Sequence, residues 1–232
     1  MSAYDKIARV YDPWSVAVVE DVPFYLEEAK RFGGPVLELG VGTGRIAVPI
    51  AAAGIEVVGV DLSKGMLEVA HETAELAGVE LDLRFGDMRD PPVEGEFPLV
   101  IAPFRSLLHM ETDADRRAVL RAVRRHLAPK GHFVFDVFAP SPDDIKETHG
   151  LWLEREPGIW ERAVWHEGSR TLVLHVRAEA GESEMSLAWL DRSEWKALVR
   201  DEGFVIEHTY GWFDRTPWVG GEDSIYICRA RS

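Results

Sequence analysis

Cysteine is almost absent from this sequence, and so is any long run of apolar residues. The only cysteine among the 232 residues is Cys228, which excludes an internal disulfide and fits a reducing compartment. No stretch of about 18 apolar residues is present, so a transmembrane helix is not expected. The N-terminus lacks the basic-then-apolar form of a signal peptide. These absences predict a cytoplasmic protein with no membrane partner.

Positive charge and clustered metal ligands are also scarce. Lysine and arginine total 26 against 40 aspartates and glutamates, and the net charge of −14 argues against binding to nucleic acid, whose phosphates need basic partners. The histidines are scattered singly and no cysteine cluster exists, so the sequence suggests no zinc site. The length permits one domain, or one domain with an insertion, around a sizeable core.

What the sequence does contain is a glycine triplet after a short apolar strand. Residues 36–39 read as the strand, Gly40, Gly42 and Gly44 follow at alternate positions, and residues 46–51 read as a helix. Glycines there permit backbone angles closed to other residues, remove Cβ atoms that would block a ligand, and aim N–H groups at it. The same triplet also occurs in ordinary tight turns.

Two acids around the triplet favour a nucleoside site. Asp61 ends the next strand, about 20 residues past the loop, where a carboxylate can take both hydroxyls of a ribose. Glu38 precedes the first glycine by two residues; it would repel a pyrophosphate but suits a cation such as a sulfonium or an α-amino group. Arg45 stands where the dinucleotide fingerprint has its third glycine.

The register Glu38-x-Gly40-x-Gly42-x-Gly44 resembles the first motif of class I S-adenosylmethionine (SAM)-dependent methyltransferases, of the small-molecule type with a methyltransferase domain 25-like core. A Leu-x-Pro-x-Gly turn at 127–131 before a strand at 133–138 extends the resemblance, as does a closing hairpin of residues 204–207 and 224–228. The resemblance implies an α/β fold: a Rossmann-like, seven-stranded, mostly parallel sheet with an antiparallel last strand and helices on both faces.

The resemblance also implies a cofactor, SAM, with S-adenosylhomocysteine as product, and a set of binding residues. An acid after the third strand contacts adenine in this family, and the segment after the fourth strand faces the reacting methyl group. Carried onto this chain, the cofactor set is Glu38, Gly40, Gly42, Gly44, Asp61, Leu62, Asp87, Met88 and Pro103. Phe104 and Arg105, next along the chain, become candidates for substrate contact.

Two subclasses of the family are disfavoured. Methylation of amide or base amino nitrogens commonly uses an Asn/Asp-Pro-Pro-Tyr/Phe tetrad, whereas residues 102–105 here are Ala-Pro-Phe-Arg. Metal-dependent catechol enzymes need acids after both the fourth and fifth strands, and only the fifth offers one, Asp136. No metal is therefore expected.

Aromatic residues concentrate outside the proposed core. Seven of the eight tryptophans follow residue 139, and segments 159–167, 170–179 and 184–190 read as a small antiparallel meander. Trp160 becomes a substrate candidate if the meander covers the pocket, although packing of the meander on the sheet would explain the tryptophans equally. We expect a single domain, 1–232, with an N-terminal helical lid (1–34), a SAM-binding core (35–138), the β insertion (150–190) and a closing helix and hairpin (191–232).

The catalytic candidates are His109 and Tyr11. His109 follows the methyl-facing segment and has a side chain suited to a general base, although it could equally be a surface or capping histidine. Tyr11 lies seven residues after Tyr4 in a repeated Tyr-Asp pair, which places both rings on one helical face. We expect an enzyme that methylates a nitrogen or oxygen of a small molecule, as a monomer or homodimer. The alternatives are a non-catalytic SAM-binding protein and a nicotinamide-linked oxidoreductase.

Overall fold

The computed structural model describes residues 2–15 and 19–231, and that part of the chain forms two β-sheets. The eleven strands, in chain order, are β1 (Val36–Leu39), β2 (Val57–Asp61), β3 (Asp82–Phe85), β4 (Phe97–Ala102), β5 (Leu127–Phe138), β6 (Trp152–Glu156), β7 (Ile159–His166), β8 (Thr171–Ala178), β9 (Gly181–Ala188), β10 (Phe204–Tyr210) and β11 (Asp223–Ala230). Strands β6 to β9 form a separate four-stranded antiparallel sheet, which we call the meander.

The larger sheet has the strand order β10-β11-β5-β4-β1-β2-β3. Strands β1 to β5 pair in parallel, whereas β11 runs antiparallel to both of its neighbours, β5 and β10. A hairpin connection forces that antiparallel pairing, since a parallel partner would need a crossover. The fold class expected from the sequence is therefore confirmed, including the antiparallel last strand and the meander after β5.

The α-helices lie on both faces of the larger sheet and beside the meander. They are α1 (Ala8–Ser15), α2 (Asp21–Phe32), α3 (Ala47–Ala52), α4 (Lys64–Ala77), α5 (Asp113–His126), α6 (Pro142–Thr148) and α7 (Arg192–Asp201). Because successive strand residues point to opposite faces, Val36 of β1 packs in a cluster with Tyr25 of α2, and Leu37 packs in another with Leu120 of α5. Within the described residues, no helix is long and apolar enough to cross a membrane.

Three local features depart from simple sequence rules. Proline in a helix interior is unfavourable, but α1 continues through Pro13 to Ser15. Pro140 and Pro142 after β5 would suit a linker, but Ser141 caps α6 there by accepting a hydrogen bond from the Asp144 N–H. The meander has a fourth strand, β6, which the sequence analysis did not predict. Its sequence, Trp-Leu-Glu-Arg-Glu, does not alternate apolar and polar residues.

Candidate functional site

A cavity of about 990 Å³ opens at the carboxyl ends of β1, β2 and β4. One side consists of the glycine loop after β1, together with Asp61 at the end of β2. The opposite side consists of meander residues, among them Trp165, Leu172 and Met185. Parallel strands bring their carboxyl ends to one edge of a sheet, which explains why distant segments meet there. The cavity thus joins the predicted cofactor loop to a largely apolar chamber.

The glycine loop adopts the conformation for which glycine is needed. The φ angles are 75° at Gly40, 56° at Gly42 and 82° at Gly44. Positive φ angles are unfavourable for residues that carry a Cβ atom. Asp61 fixes the loop from β2: its Oδ2 accepts a hydrogen bond from the Gly42 N–H at 2.9 Å, and its Oδ1 accepts one from the Ser63 N–H at 2.8 Å. Burial raises the pKa of Asp61, and these backbone hydrogen bonds oppose the shift. Asp61 therefore links the loop to the start of α4.

Glu38 is a buried carboxyl group on the cavity wall with an unused acceptor. Only 2% of the residue is exposed, and no described residue donates a hydrogen bond to its Oε2. Burial raises the pKa of Glu38 well above the ordinary value, and the charge of Arg45 opposes that shift. An unpaired buried carboxylate is unfavourable by several kcal/mol, so a cationic ligand at this wall would stabilise the ionised form.

The repeated Tyr-Asp pair of the N-terminal segment makes two different kinds of contact. Its acids bind the loops of the cofactor edge: Asp5 accepts from the Ser63 hydroxyl at 2.7 Å, and Asp12 accepts from the Thr43 hydroxyl at 2.6 Å. Its tyrosines, Tyr4 and Tyr11, line the cavity with ring centroids 5.7 Å apart. The acids therefore anchor the segment while the rings close the cavity, and Tyr4 is a cavity residue for which only the repeat gave a signal.

His109 ends a 3₁₀ turn, Ser106–His109, and faces the cavity. Its Nε2 lies 2.9 Å from the Tyr4 hydroxyl oxygen, and the two rings meet edge to face. Burial lowers the pKa of His109 to about 4, while a backbone hydrogen bond with Ser186 acts in the opposite direction. The ring is therefore neutral at physiological pH, and a pKa this far below neutrality makes it a weak base.

The segment after β4 contributes Pro103, Phe104 and Arg105 to the cavity wall. Phe104 and Arg105 have φ angles of 52° and 64°, and a left-handed residue other than glycine costs roughly 1–2 kcal/mol. The Phe104 ring lies 4.8 Å from the Arg45 guanidinium carbon and 6.4 Å from the Tyr11 ring centroid. This stretch is consequently both strained and at the centre of the site.

The Arg105 side chain is held by the protein itself. Its Nη2 donates to Asp223 Oδ1 at 2.9 Å, and the guanidinium carbon lies 4.4 Å from the centroid of the Phe138 ring. These contacts fix the guanidinium but leave other N–H donors of Arg105 available, so its substrate role stays a prediction.

The predicted adenine side is only partly at the cavity. Met88 and Leu62 line it, but Asp87 is not among the described lining residues. The Asp87 carboxylate instead accepts hydrogen bonds from Arg89, from the backbone N–H at 2.8 Å and from Nε at 3.0 Å. That pairing lowers the pKa of Asp87, so the group is an ionised carboxylate beside the cavity.

Trp160 does not lie where the sequence analysis placed it. The residue is 38% exposed and is not one of the described residues that line the cavity. Its strand, β7, turns Glu161, Ala163 and Trp165 toward the cavity instead, because side chains alternate along a strand. Trp165 is therefore the tryptophan of β7 that lines the cavity, and Trp160 stands on the opposite face of the strand.

Comparisons with known proteins agree with this architecture. A family model described as methyltransferase domain matches residues 36–131. An uncharacterized methyltransferase of Bacillus licheniformis is 34% identical, with 66% of this chain and 69% of that protein covered. The cypemycin N-terminal methyltransferase of a Streptomyces species is 29% identical, with 100% and 95% covered. The solved structure of the CcbJ methyltransferase from Streptomyces caelestis is 25% identical and superposes with a TM-score of 0.86, covering 100% of this chain and 99% of that one.

Proposed function

The chain belongs to the class I SAM-dependent methyltransferases, and from that premise we propose that it methylates a nitrogen or oxygen atom of a small molecule. One observation carries the proposal: the glycine loop and the chamber under the meander are parts of the same cavity. Bound SAM supplies an electrophilic sulfonium methyl group, and an acceptor in the chamber would lie within reach of it. Holding the two in line can supply on the order of 7–11 kcal/mol through proximity and orientation.

We propose that the residues of the glycine edge hold the cofactor in the order implied by the fold. Asp61 takes the ribose hydroxyls, Met88 and Asp87 lie at the adenine, and Glu38 faces the cationic methionine end. The positive φ angles of the loop and the free Oε2 of Glu38 support this fit. Leu62 and Pro103, both at the cavity wall, complete the contacts on either side. S-adenosylhomocysteine is the expected product.

Glu38 gives a direct test of the cationic end. We expect Glu38→Gln to bind SAM about tenfold more weakly, because the amide keeps the shape but loses the charge that attracts the cation. Calorimetric titration measures the affinity, with Glu68→Gln on the exposed face of α4 as a matched control. Parallel losses for SAM and S-adenosylhomocysteine point to the α-amino group, and a loss for SAM alone points to the sulfonium. Unchanged affinity for both ligands would remove Glu38 from the cofactor site.

The shape of the chamber supports a small, partly apolar acceptor. Its walls include Trp165, Leu172, Leu174, Met185 and Leu187 from the meander, together with the rings of Tyr4, Tyr11 and Phe104, and the meander also contributes the charged side chains of Arg155, Glu161 and Glu184. Aromatic faces bind both apolar groups and cations, which favours an amine on an apolar body. The relative whose name describes an N-terminal methyltransferase also favours nitrogen as the acceptor atom.

We propose His109 as the general base and Tyr11 as a residue that covers and orients the acceptor. An amine enters as an ammonium ion, which must lose a proton before its nitrogen can attack the methyl carbon. The neutral ring of His109 can take that proton through the hydroxyl of Tyr4, whose oxygen lies 2.9 Å from Nε2, although the lowered pKa of the ring makes this transfer uphill. Tyr11 contacts Tyr4, Trp14 and Phe104 edge to face, so it lies between the lid and the methyl-facing segment.

We also propose that residues 1–232 work as one unit in the cytoplasm, as a monomer or homodimer. In this arrangement residues 1–34 are a lid, 35–138 bind the cofactor, 150–190 cover the acceptor and 191–232 close the sheet. The contacts of Asp5 and Asp12 with the cofactor loops support the lid.

The proposed activity predicts binding of SAM and S-adenosylhomocysteine but not of NAD in parallel calorimetric titrations. The protein should then release S-adenosylhomocysteine when it is incubated with SAM and a panel of primary and secondary amines and phenols. Mass spectrometry of the methylated product identifies the acceptor atom. Binding of SAM without product from any member of a broad panel would count against a small-molecule acceptor, and binding of NAD alone would overturn the cofactor assignment.

A further inference from the structure

Asp136 is a buried acid near the end of β5. It has no role so far, either in the proposed cofactor site or beside the proposed general base. The residue is 3% exposed, and its carboxylate accepts hydrogen bonds from three donors. Oδ1 accepts from the Tyr25 hydroxyl at 2.6 Å and from the Phe104 N–H at 2.8 Å, and Oδ2 accepts from the Arg105 N–H at 2.9 Å. The two backbone donors belong to the segment after β4 that lines the cavity.

These two donors are the residues with left-handed backbones. Two consecutive non-glycine residues in that conformation are unfavourable unless the surrounding structure holds them. A carboxylate that accepts from both N–H groups holds them directly, since each hydrogen bond requires the amide to point at β5. The Phe104 ring, which contacts Tyr11 and lies against Arg45, takes its position from the same backbone.

The electrostatics of Asp136 fit this use. Burial raises the pKa of Asp136 to about 6, and the hydrogen bond from Tyr25 and the charge of Arg105 oppose the rise. The group is therefore ionised at neutral pH and acts only as an acceptor. Tyr25, on α2, keeps its proton because burial raises the pKa of its hydroxyl, so it serves as a donor throughout.

We propose that Asp136 is a positioning residue for methyl transfer, which fixes Phe104 and Arg105 in the left-handed backbone that shapes the methyl-facing wall of the cavity. Tyr25 orients the carboxylate from α2. This inference rests on the proposed function for its effect on turnover, but the positioning itself can be measured without any acceptor.

The test is Asp136→Asn, with Tyr25→Phe as a graded second variant. Asparagine has the same size but presents an N–H₂ group to one of the two backbone donors, so a hydrogen bond is lost and a donor is left unpaired. We expect faster hydrogen–deuterium exchange at the amides of Phe104 and Arg105, with unchanged protection of Val100 in the middle of β4. SAM affinity should be unchanged. With the panel compound that the wild type methylates fastest, kcat should fall about tenfold, whereas KM for SAM should not change.

Tyr25→Phe removes only the hydroxyl donor and should show a smaller effect in the same direction, which keeps the proposal testable if Asp136→Asn does not fold. Unchanged exchange at Phe104 and Arg105 would overturn the proposal, and so would faster exchange with an unchanged kcat. A parallel loss of SAM affinity and unfolding temperature would show a merely structural role and would also overturn it. If the wild type methylates no panel compound, the proposed function fails, but the exchange and SAM titrations still decide whether Asp136 positions the segment.

Discussion

Replacing Asp61 with alanine should weaken SAM binding by about 100-fold or more. A carboxylate at the end of β2 can accept hydrogen bonds from both ribose hydroxyls, and hydrogen bonds to a charged group contribute about 1.5–3 kcal/mol each. Asp61 also accepts from the N–H groups of Gly42 and Ser63, so the same substitution loosens the loop that approaches the cofactor. Calorimetric titration with SAM and S-adenosylhomocysteine measures the effect, and both affinities should fall together because both ligands carry the ribose.

Two further variants separate these contributions. Asp61→Asn keeps one oxygen acceptor for the loop and loses the charge, so its SAM affinity should lie between those of wild type and Asp61→Ala. Asp82→Ala is the matched control: Asp82 lies on the neighbouring strand β3, where its carboxylate pairs with Arg84 away from the cavity lining. A weaker SAM complex in Asp82→Ala would indicate a general loss of structure, and undiminished affinity in Asp61→Ala would show that the ribose assignment is wrong.

The cofactor side of the site could be predicted because short stretches of sequence determine it. Gly40 follows β1 and Asp61 ends β2, and these strands pair in parallel with Leu39 opposite Val60, so the loop and the acid must meet at one edge of the sheet. The closing hairpin likewise required an antiparallel last strand. The functional residues of the cofactor side lie at the ends of predicted strands. Parallel pairing then brings these strand ends together at one edge of the sheet.

The acceptor side could not be predicted in the same way, because strand register determines it. In a strand, a shift of one residue moves every side chain to the other face, and Trp160 and Trp165 stand on opposite faces because five residues separate them. Nothing in the local alternation of β7 indicates which tryptophan faces the cavity. The packing of the meander against the N-terminal segment makes that choice, through contacts such as the hydrogen bond from Trp14 Nε1 to Glu161 at 2.8 Å.

Pairs that are distant in the chain were also invisible in the sequence. Tyr4 and His109 are 105 residues apart, and Tyr25 and Asp136 are 111 apart. No periodicity joins such positions, since tertiary packing alone brings them together. The position of His109 after β4 made it a candidate from the sequence. The sequence gave no sign that Tyr4 contacts the His109 ring, or that Asp136 accepts hydrogen bonds from the residues just after β4.

Replacing His109 with glutamine should lower kcat by about 100-fold, the lower end of the range that a positioned general base contributes, because a base with a pKa of about 4 is weak at neutral pH. Glutamine can still accept a hydrogen bond from Tyr4, but it cannot take the proton that an ammonium or hydroxyl acceptor releases. SAM affinity should stay at the wild-type value, since His109 lies on the acceptor side of the cavity. Steady-state turnover of the best panel compound gives kcat, and His71→Gln on the exposed side of α4 is the matched control.

The pH dependence of folding stability offers an independent view of the same ring. His109 has a pKa of about 4 in the folded protein, below the value of about 6.5 for an unfolded histidine. The unfolded chain therefore binds more protons between these values, and the stabilisation from the neutral ring, complete above about pH 6.5, is lost as the pH falls to about 4. Asp136 acts in the opposite sense, because its pKa of about 6 exceeds the unfolded value of about 3.9 and its ionised form lowers stability above that range.

Urea denaturation at about pH 8 and about pH 5 should therefore show that acidification changes the free energy of unfolding less unfavourably in His109→Gln than in the wild type, because the raised pKa values of Asp136, Glu38 and Asp61 act equally in both proteins. Tyr4→Phe separates the role of the Tyr4 hydroxyl from that of the His109 ring. It removes the hydroxyl next to Nε2 but leaves the His109 imidazole able to accept a proton, so its kcat should fall less than that of His109→Gln. Full turnover in His109→Gln would exclude the ring as the base. Low turnover restored by added imidazole in His109→Ala would support proton transfer at this position, because imidazole can replace only the missing ring.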